Sequence, residues 1–172
     1  MKHTCILDAC TIINLLHIDE KDFLLQQIEN LNIKISEEVI NEVKKNFTKK
    51  YNGILLNEEI NENLKNIETN INTFYIGKTV YNNEIDTTIE IEKIKDFLNY
   101  NKTNGELSSS YLAFYLSRKE KARLYFYTDD FVAKEEFQAF FDFQQIGQIN
   151  DSVDFLCFLF WINENKNIFS QL

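Results

Sequence analysis

The chain has 172 residues, the length of one compact domain, and its 44% hydrophobic and 26% charged residues exclude the intrinsically disordered class. It contains no proline and only 4 glycines, which argues against low-complexity segments and against a turn-rich all-β sandwich. The formal net charge of −9 excludes nucleic-acid binding through overall charge, although a local basic patch or a bound metal ion still permits it.

Cysteine usage and apolar runs bear on the compartment. The three cysteines are odd in number and show no CxxC spacing, which argues against a disulfide framework or a zinc site and favours a reducing cytosol. The longest apolar run, Phe155 to Ile162, is far shorter than the ~20 residues that span a bilayer. Asp8 interrupts the early apolar run where a signal peptide stays apolar. We therefore expect a cytoplasmic protein without a membrane segment.

In chain order, short apolar runs predict strands and helical spacing predicts helices. The first half reads as a strand over 4–7, helices over 9–17 and 21–30, a strand over 32–35, and a helix that Ser36 caps and that carries the stripe Val39, Ile40, Val43 and Phe47. Residues 51–100 predict helices near 56–69 and 85–99 and an extended piece over 74–76. We interpret this stretch as a largely helical elaboration of a single domain over 1–172.

In the second half of the chain, the predicted helices and strands alternate more clearly. This half predicts a helix from Thr103 to about Arg118, a strand over 124–127, a helix over 132–140, a strand near 143–149 and an apolar helix over 153–162 capped by Asn150 and Asp151. Strands that alternate with helices indicate an α/β fold whose mostly parallel sheet is covered on both faces.

Acidic residues fall where such a fold places its ligands. Asp8 follows the first strand, and the doublet Asp129 and Asp130 follows the strand over 124–127, while Glu42 and Glu106 lie early in helices. Ligands of parallel sheets bind outside the carboxyl ends of the strands. Four carboxylates in one crevice repel one another unless a cation neutralises them, and hard oxygen ligands suit Mg²⁺ or Mn²⁺.

Each acid also has a purely structural interpretation. Asp8 and the doublet after the later strand are good helix caps, and Glu42 can be a solvated neighbour of the apolar stripe. Thr103 and Glu106 match the capping-box spacing, in which Glu106 bonds back to the Thr103 amide. The joint order of the four motifs, rather than any one of them, favours a site.

In the order of these four acidic motifs, the chain resembles the PIN-domain family of metal-dependent nucleases. The resembling segments are Ile6–Cys10, Ser36–Val43 with Glu42, Asn104–Glu106 leading to Leu112 and Ala113, and Tyr127–Asp130. The resemblance implies a PIN-like α/β/α sandwich with a central, mostly parallel sheet and a largely helical insertion. It also implies an endoribonuclease that hydrolyses RNA phosphodiester bonds with one or two Mg²⁺ or Mn²⁺ ions.

The resemblance assigns roles to particular residues. Asp8, Glu106 and Asp130 would hold the metal and Glu42 would support them, with Asp129 as the alternative to Asp130. Thr128 would act as a supporting hydroxyl that orients Asp130 or a water. The sequence departs from the family where Ser, Thr or Asn is common, because Cys10 stands there and a thiol suits a hard cation poorly, so either Thr11 compensates or the site is looser.

Two lysine- or arginine-rich clusters are candidates for holding a polyanion. The first, which we favour as a substrate contact, is Lys44, Lys45, Lys49 and Lys50 on the Glu42 helix; the second is Arg118, Lys119, Lys121 and Arg123, which fits a helix C-terminus equally well. Small members of the family act as toxins restrained by a partner antitoxin, so the resemblance implies a toxin or a defence ribonuclease, with an antitoxin or a second copy of the chain as partners.

Three other interpretations remain. A catalytically weak interaction or RNA-binding module on the same fold is consistent with Cys10 in place of a hydroxyl. A haloacid-dehalogenase-like phosphatase also begins with an Asp after its first strand, but the segment Asp8 to Thr11 lacks the second Asp of that family's D-x-D-x-T pattern. A response-regulator receiver domain fits less well, because its acid doublet would lie near the start of the chain.

Overall fold

The computed structural model describes residues 3–18, 31–51, 87–121 and 123–169. Within these ranges the chain forms four strands and six helices. In order, they are β1 (Thr4–Leu7), α1 (Ala9–Ile18), β2 (Asn32–Lys34), α2 (Glu37–Tyr51), α3 (Thr87–Leu98), α4 (Gly105–Glu120), β3 (Leu124–Tyr127), α5 (Phe131–Gln144), β4 (Gly147–Asn150) and α6 (Ser152–Phe169).

The four strands form one parallel sheet in the order β2-β1-β3-β4. In register, Cys5 of β1 lies between Ile33 of β2 and Tyr125 of β3. The chain leaves β1 toward β2 on one side and later returns to β3 on the other side. The strand order therefore reverses between β1 and β3, and in parallel sheets such a reversal opens a crevice at the carboxyl ends of the two strands. The predicted α/β fold with a parallel sheet is confirmed.

Helices cover both faces of this sheet because side chains of a strand alternate between its faces. Cys5 and Leu7 of β1 are buried in a core with α1, α2 and α6, whereas Ile6 is buried in a second core with α3, α4 and α5. In β3, Phe126 joins the second core and Tyr127 the first. Because β1 is buried on both faces, its residues Cys5 to Leu7 form a continuous apolar run, and the buried Thr4 is the polar exception at its start.

Several element boundaries differ from the sequence-based expectation. The strand predicted near 143–149 starts only at Gly147, because α5 continues to Gln144 and ends at Gln145 in the left-handed conformation (φ 52°). Phe143, whose aromatic side chain suggested a strand, is instead an exposed helical residue. The helix predicted near 85–99 is confirmed as α3. The helices predicted over 21–30 and 56–69 and the extended piece over 74–76 lie outside the described residues.

The last helix, α6, is capped by Asp151, as the sequence predicts. Asp151 accepts a hydrogen bond from the Asp154 amide (2.9 Å), and Asp154 in turn accepts one from the Asp151 amide (3.3 Å). This reciprocal pair has the form of a capping box and starts α6 one residue before the predicted Val153. Among the described helices, none has the combination of length and hydropathy that a bilayer-spanning segment requires.

Candidate functional site: a carboxylate cleft between β1 and β3

A cleft of about 260 Å³ opens at the carboxyl ends of β1 and β3, where the strand order reverses. Four carboxylates and five neutral side chains line it: Asp8, Glu42, Glu106 and Asp130, with Ala9, Cys10, Ile13, Asn14 and Asn46. The four predicted acids therefore meet in one place, although they come from four different parts of the chain.

Asp8, which follows β1 directly, is the most buried of these acids at 1% exposure. Its Oδ2 accepts hydrogen bonds from the Cys10 thiol and from the Thr128 hydroxyl, both at 3.1 Å. Its buried Oδ1 has no hydrogen-bond partner among the described residues. Burial raises the pKa of the Asp8 carboxyl, and the charge of Asp130 raises it further. Such an oxygen is costly to bury unless a ligand or a proton compensates it.

Glu42 reaches the cleft from α2 and is held by the N-terminus of α4. Its Oε1 accepts a hydrogen bond from the Gly105 amide at 2.9 Å. A Cβ atom at position 105 would lie 2.7 Å from Glu42 Oε2, so only glycine allows the carboxylate to approach this closely. Burial raises the pKa of Glu42, and the charges of Asp8 and Glu38 raise it further, whereas Gly105 and Lys45 oppose them.

Glu106 occupies the first turn of α4, and its carboxyl lies close to the three other acids of the cleft. Burial, followed by the negative charges of Asp8, Glu42 and Asp130, raises its pKa to about 7. Its buried Oε2 has no hydrogen-bond partner among the described residues. At neutral pH this carboxyl therefore binds and releases a proton readily, as groups at functional sites often do.

The N-cap of α4 is Asn104 rather than the predicted Thr103. Asn104 Oδ1 accepts a hydrogen bond from the Leu107 amide at 3.2 Å. The Tyr100 hydroxyl, which is largely buried, lies within hydrogen-bond distance of both polar atoms of the Asn104 amide. Because Asn104 caps the helix, the Glu106 side chain is not needed for the predicted capping box and can line the cleft instead.

The structure separates the two members of the acid doublet. Asp130 lines the cleft and also caps α5, since its Oδ1 accepts hydrogen bonds from the Val132 amide (2.9 Å) and the Ala133 amide (3.1 Å). Asp130 is therefore a helix cap, and it also lines the cleft in which the sequence predicted a site.

Asp129 is not among the residues that line the cleft. Its Oδ1 accepts hydrogen bonds from the Ser152 amide and hydroxyl, both at 2.8 Å, and its Oδ2 accepts one from Asn14 Nδ2 at 2.9 Å. These hydrogen bonds connect the end of β3 to α6 and α1, and both carboxylate oxygens of Asp129 take part in them.

The supporting hydroxyls also differ from expectation. Thr128 Oγ1 orients Asp8 by donating to it and meets Asp130 only through the backbone amide of Asp130, at 3.2 Å. Thr11 does not compensate for Cys10, because its hydroxyl is fully buried and has no hydrogen-bond partner among the described residues.

The Cys10 thiol itself donates the hydrogen bond to Asp8 that a hydroxyl group at position 10 would donate. Its sulfur donates to Asp8, contacts Thr128 Oγ1 at 3.4 Å and accepts from the Asp129 amide at 3.1 Å. Burial and the Asp8 charge raise the pKa of this thiol to about 12, so it stays protonated and acts as a donor.

The candidate basic contacts are only partly described. Lys45 is exposed on α2, and its charge favours the ionised form of Glu42, whereas the side chains of Lys44, Lys49 and Lys50 lie outside the described part of the structure. Arg118 donates from Nη2 to the backbone and side-chain oxygens of Gln144 and lies over the Phe114 ring, which supports its helix-end interpretation.

Sequence reasoning missed Ile13, Asn14 and Asn46 as lining residues and did not foresee the Cys10 thiol as a donor to Asp8. Helical spacing was the available signal. Asn14 lies four residues after Cys10 on α1, and Asn46 lies four residues after Glu42 on α2, so each shares a helix face with a recognised site residue.

Comparisons with known proteins bear on the fold alone. The chain is similar to the crystal structure of PAE2754 from Pyrobaculum aerophilum, with a TM-score of 0.58 and 11% sequence identity over 92% of this chain and 98% of that chain. No protein-family model matches the sequence, and no curated protein matches it. At this level of identity the likeness shows a similar fold.

The cleft chemistry fits a hard divalent cation. Its charged groups are all carboxylates, and two of them bury an oxygen that lacks a partner among the described residues. Across the described ranges, no three His, Cys, Asp or Glu side chains are grouped closely enough to bind one ion together. Mutual repulsion of unneutralised carboxylates favours such a spread arrangement.

Proposed function

We propose that the protein is a divalent-metal-dependent endoribonuclease with a PIN-like α/β/α fold. One observation carries the proposal: four carboxylates from distant parts of the chain meet where the strand order reverses, and two of them bury an unpartnered oxygen there. Such an arrangement destabilises the protein unless a cation or protons neutralise it, and parallel sheets bind their ligands at this position.

Asp8, Glu106 and Asp130 would hold one or two Mg²⁺ or Mn²⁺ ions, with Glu42 in support. When bound, such an ion supplies a nucleophile at neutral pH by acidifying a water, and it offsets the charge that develops on the phosphate. The chain's own residues prepare the site. Cys10 and Thr128 fix Asp8 through Oδ2, while Oδ1 has no hydrogen-bond partner among the described residues and would be free to bind the ion.

The two glutamates of the cleft differ in what the chain does to them. The Gly105 amide fixes Glu42 Oε1, which keeps this carboxylate beside the N-terminus of α4. Glu106, whose pKa is raised to about 7, can hold or release a proton near neutral pH and must lose it before it binds a cation. Cation affinity is therefore expected to increase with pH through this range.

Substrate class and biological role follow the resemblance to the PIN-domain family. RNA is the proposed substrate, and the biological role is that of a toxin held by a partner antitoxin or of a defence ribonuclease, with a homodimer as a further form of assembly. The exposed Lys45, close enough to influence Glu42, supports a phosphate contact on α2.

Cleavage of labelled RNAs tests the proposal. A panel of tRNA, structured RNA and single-stranded RNA is incubated with Mn²⁺, Mg²⁺ or EDTA, using wild-type protein, Asp8→Asn and the control Asp142→Asn. Asp142 is an exposed acid on α5 that hydrogen-bonds Gln138 and does not line the cleft. We expect metal-dependent cleavage that Asp142→Asn retains and that Asp8→Asn lowers at least about a hundredfold.

A catalytically weak interaction or RNA-binding module of the same fold is the second candidate. It is favoured by Cys10 in place of a hydroxyl and by the absence, within the described ranges, of three grouped metal ligands. Absence of cleavage on every RNA, together with no thermal shift on adding Mn²⁺, would contradict the nuclease proposal and favour this second candidate.

A further inference from the structure

The lining of the cleft consists of four carboxylates and five neutral side chains. Three of the neutral side chains come from α1 and α2, Ile13, Asn14 and Asn46, and we call these three residues the neutral wall. None of the nine lining residues is a lysine or an arginine. A substrate whose phosphate lies near the carboxylates therefore finds no cationic side chain among the lining residues, and the group beside that phosphate can contact the neutral wall.

The orientation of Asn14 in this wall is fixed by a chain of hydrogen bonds. Its Nδ2 donates to Asp129 Oδ2 at 2.9 Å, and an ionised carboxylate can only accept, so the amide must present its NH₂ group to Asp129. Asp129 is itself anchored by the amide and hydroxyl of Ser152, the first residue of α6. This leaves the carbonyl oxygen Oδ1 and the second hydrogen of Nδ2 for other contacts, so Oδ1 is the acceptor that Asn14 offers a ligand.

This polarity identifies the chemistry that the wall recognises. A carbonyl oxygen repels a phosphate oxygen and binds a hydrogen-bond donor. The half-buried side chain of Ile13 adds an apolar contact beside it. An apolar surface next to a fixed acceptor suits the sugar or base of a nucleotide, whose donors are the ribose 2′-hydroxyl and the base amino or imino groups.

We propose that the neutral wall binds the nucleoside next to the scissile phosphate, and that Asn14 Oδ1 accepts a hydrogen bond from it. Asp129 acts as a positioning residue, because it sets which end of the Asn14 amide faces the ligand. The inference rests on the proposed ribonuclease function and extends it to the determinant of substrate choice.

The test compares Asn14→Leu with wild type on matched oligonucleotides. The substrates are one single-stranded RNA, the same RNA with a 2′-deoxy nucleotide on either side of the cleaved bond, and versions that lack a base amino group there. Asn41→Leu is the control, because Asn41 is an exposed asparagine of α2 that does not line the cleft.

We expect Asn14→Leu to lower kcat/KM for the parent RNA about tenfold, the loss expected for one hydrogen bond to a ligand. On the substrate that lacks the donor bound by Asn14, the same variant loses less than about twofold, because that hydrogen bond is already missing. The 2′-deoxy and base-modified substrates distinguish the sugar donor from the base donor. Asn41→Leu behaves as wild type.

Asp129→Asn is the second variant. To keep both Ser152 hydrogen bonds on its oxygen, the new amide turns its NH₂ toward Asn14, which must then rotate and offer its own oxygen. The NH₂ group of Asn14 would face the wall in place of the carbonyl. We expect this variant to lose the preference for the donor-bearing substrate, although residue 129 does not line the cleft.

Two results would overturn the inference. Equal losses on every substrate would show that Asn14 contacts no nucleoside donor, and weaker Mn²⁺ binding by Asn14→Leu, measured by electron paramagnetic resonance, would make Asn14 a cation ligand instead. Failure of the proposed function has a different signature, because wild-type protein would then neither bind Mn²⁺ nor cleave any substrate, which would overturn both proposals.

Discussion

The buried polar side chains at the two ends of the sheet differ in whether their hydrogen-bonding groups have partners. At the amino end, Thr4 Oγ1 donates to Glu120 Oε2 at 3.0 Å and accepts from Asn32 Nδ2 at 2.9 Å, so its hydroxyl is satisfied in both directions. At the carboxyl end, Asp8 and Glu106 each bury an oxygen without a partner among the described residues, and burial and neighbouring charge raise the pKa of both.

This difference separates stability from function. The same strands and helices form both ends of the sheet, and only one end holds buried acids without partners. The geometry of the strands and helices therefore does not by itself explain the crowded acids. Buried unpartnered oxygens and raised carboxyl pKa values destabilise the folded protein, and a protein keeps them where a ligand or a reaction requires them. We therefore propose that the function lies at the carboxyl end and that the amino end supports the structure.

Glu106→Gln should have the largest effect on activity. The substitution keeps the shape of the side chain but removes a proposed metal-binding charge, so metal-dependent RNA cleavage is expected to fall at least about a hundredfold. Initial rates at saturating Mn²⁺ measure the effect, and Glu136→Gln, an exposed acid of α5, is the control. Cleavage unchanged in Glu106→Gln would remove this residue from the site.

The stability of the metal-free protein should depend on pH through the same residue. The pKa of Glu106 is raised from 4.5 to about 7 in the folded protein, so folding favours its protonated form. The resulting stabilisation is complete below about pH 4.5 and is lost as the pH rises through about 7. The raised pKa values of Asp8 and Glu42 act in the same direction.

Melting temperatures between pH 5 and pH 8, in EDTA, measure this dependence. We expect the value to fall as the pH rises, Glu106→Gln to flatten the profile, and Mn²⁺ to restore stability at the alkaline end. A melting temperature that rises with pH over this interval would contradict the description of the cleft as electrostatically crowded.

Gly105→Ala should act more weakly and through Glu42. The added methyl group would lie 2.7 Å from Glu42 Oε2 and must displace that carboxylate, so cleavage is expected to fall about tenfold. The same methyl group would lie 3.0 Å from Cγ2 of the buried Val39, so folding stability should fall by about 1 kcal/mol, an effect that the higher helix propensity of alanine partly offsets. Urea unfolding and cleavage rates together distinguish this result from general destabilisation.

Thr4→Val should leave cleavage unchanged and lower stability. It removes the hydroxyl that Glu120 and Asn32 share at the amino end, which costs about 1 kcal/mol of unfolding free energy. Chemical denaturation and cleavage assays of the same preparation measure both quantities. A loss of cleavage without a loss of stability would contradict the assignment of stability to the amino end of the sheet and of function to its carboxyl end.

Much of the fold could be predicted from local signals. The bounds of β1 were predicted because a short apolar run that ends in a charge is typical of a buried strand. The predicted start of β4 near residue 143 was wrong, because Phe143 lies on α5, where it is 69% exposed, and tertiary packing decides where that helix ends. Local pattern does not contain that packing.

The site could be predicted as a set of acids but not as a set of contacts. The choice between Asp129 and Asp130 depends on Ser152 and Asn14, which are distant in sequence and bind Asp129. The approach of Glu42 to the Gly105 amide joins positions 63 residues apart. Neither relation leaves a trace in local spacing, so only the folded structure reveals it.

Calorimetric titration of metal-free protein with Mn²⁺ at pH 7 tests the central claim most directly. Runs in two buffers of different ionisation enthalpy count the protons released. The account predicts binding with proton release, because Glu106 is partly protonated at this pH, and predicts loss of binding in Asp8→Asn. Absence of binding at millimolar Mn²⁺, or binding that Asp8→Asn leaves unchanged, would contradict it.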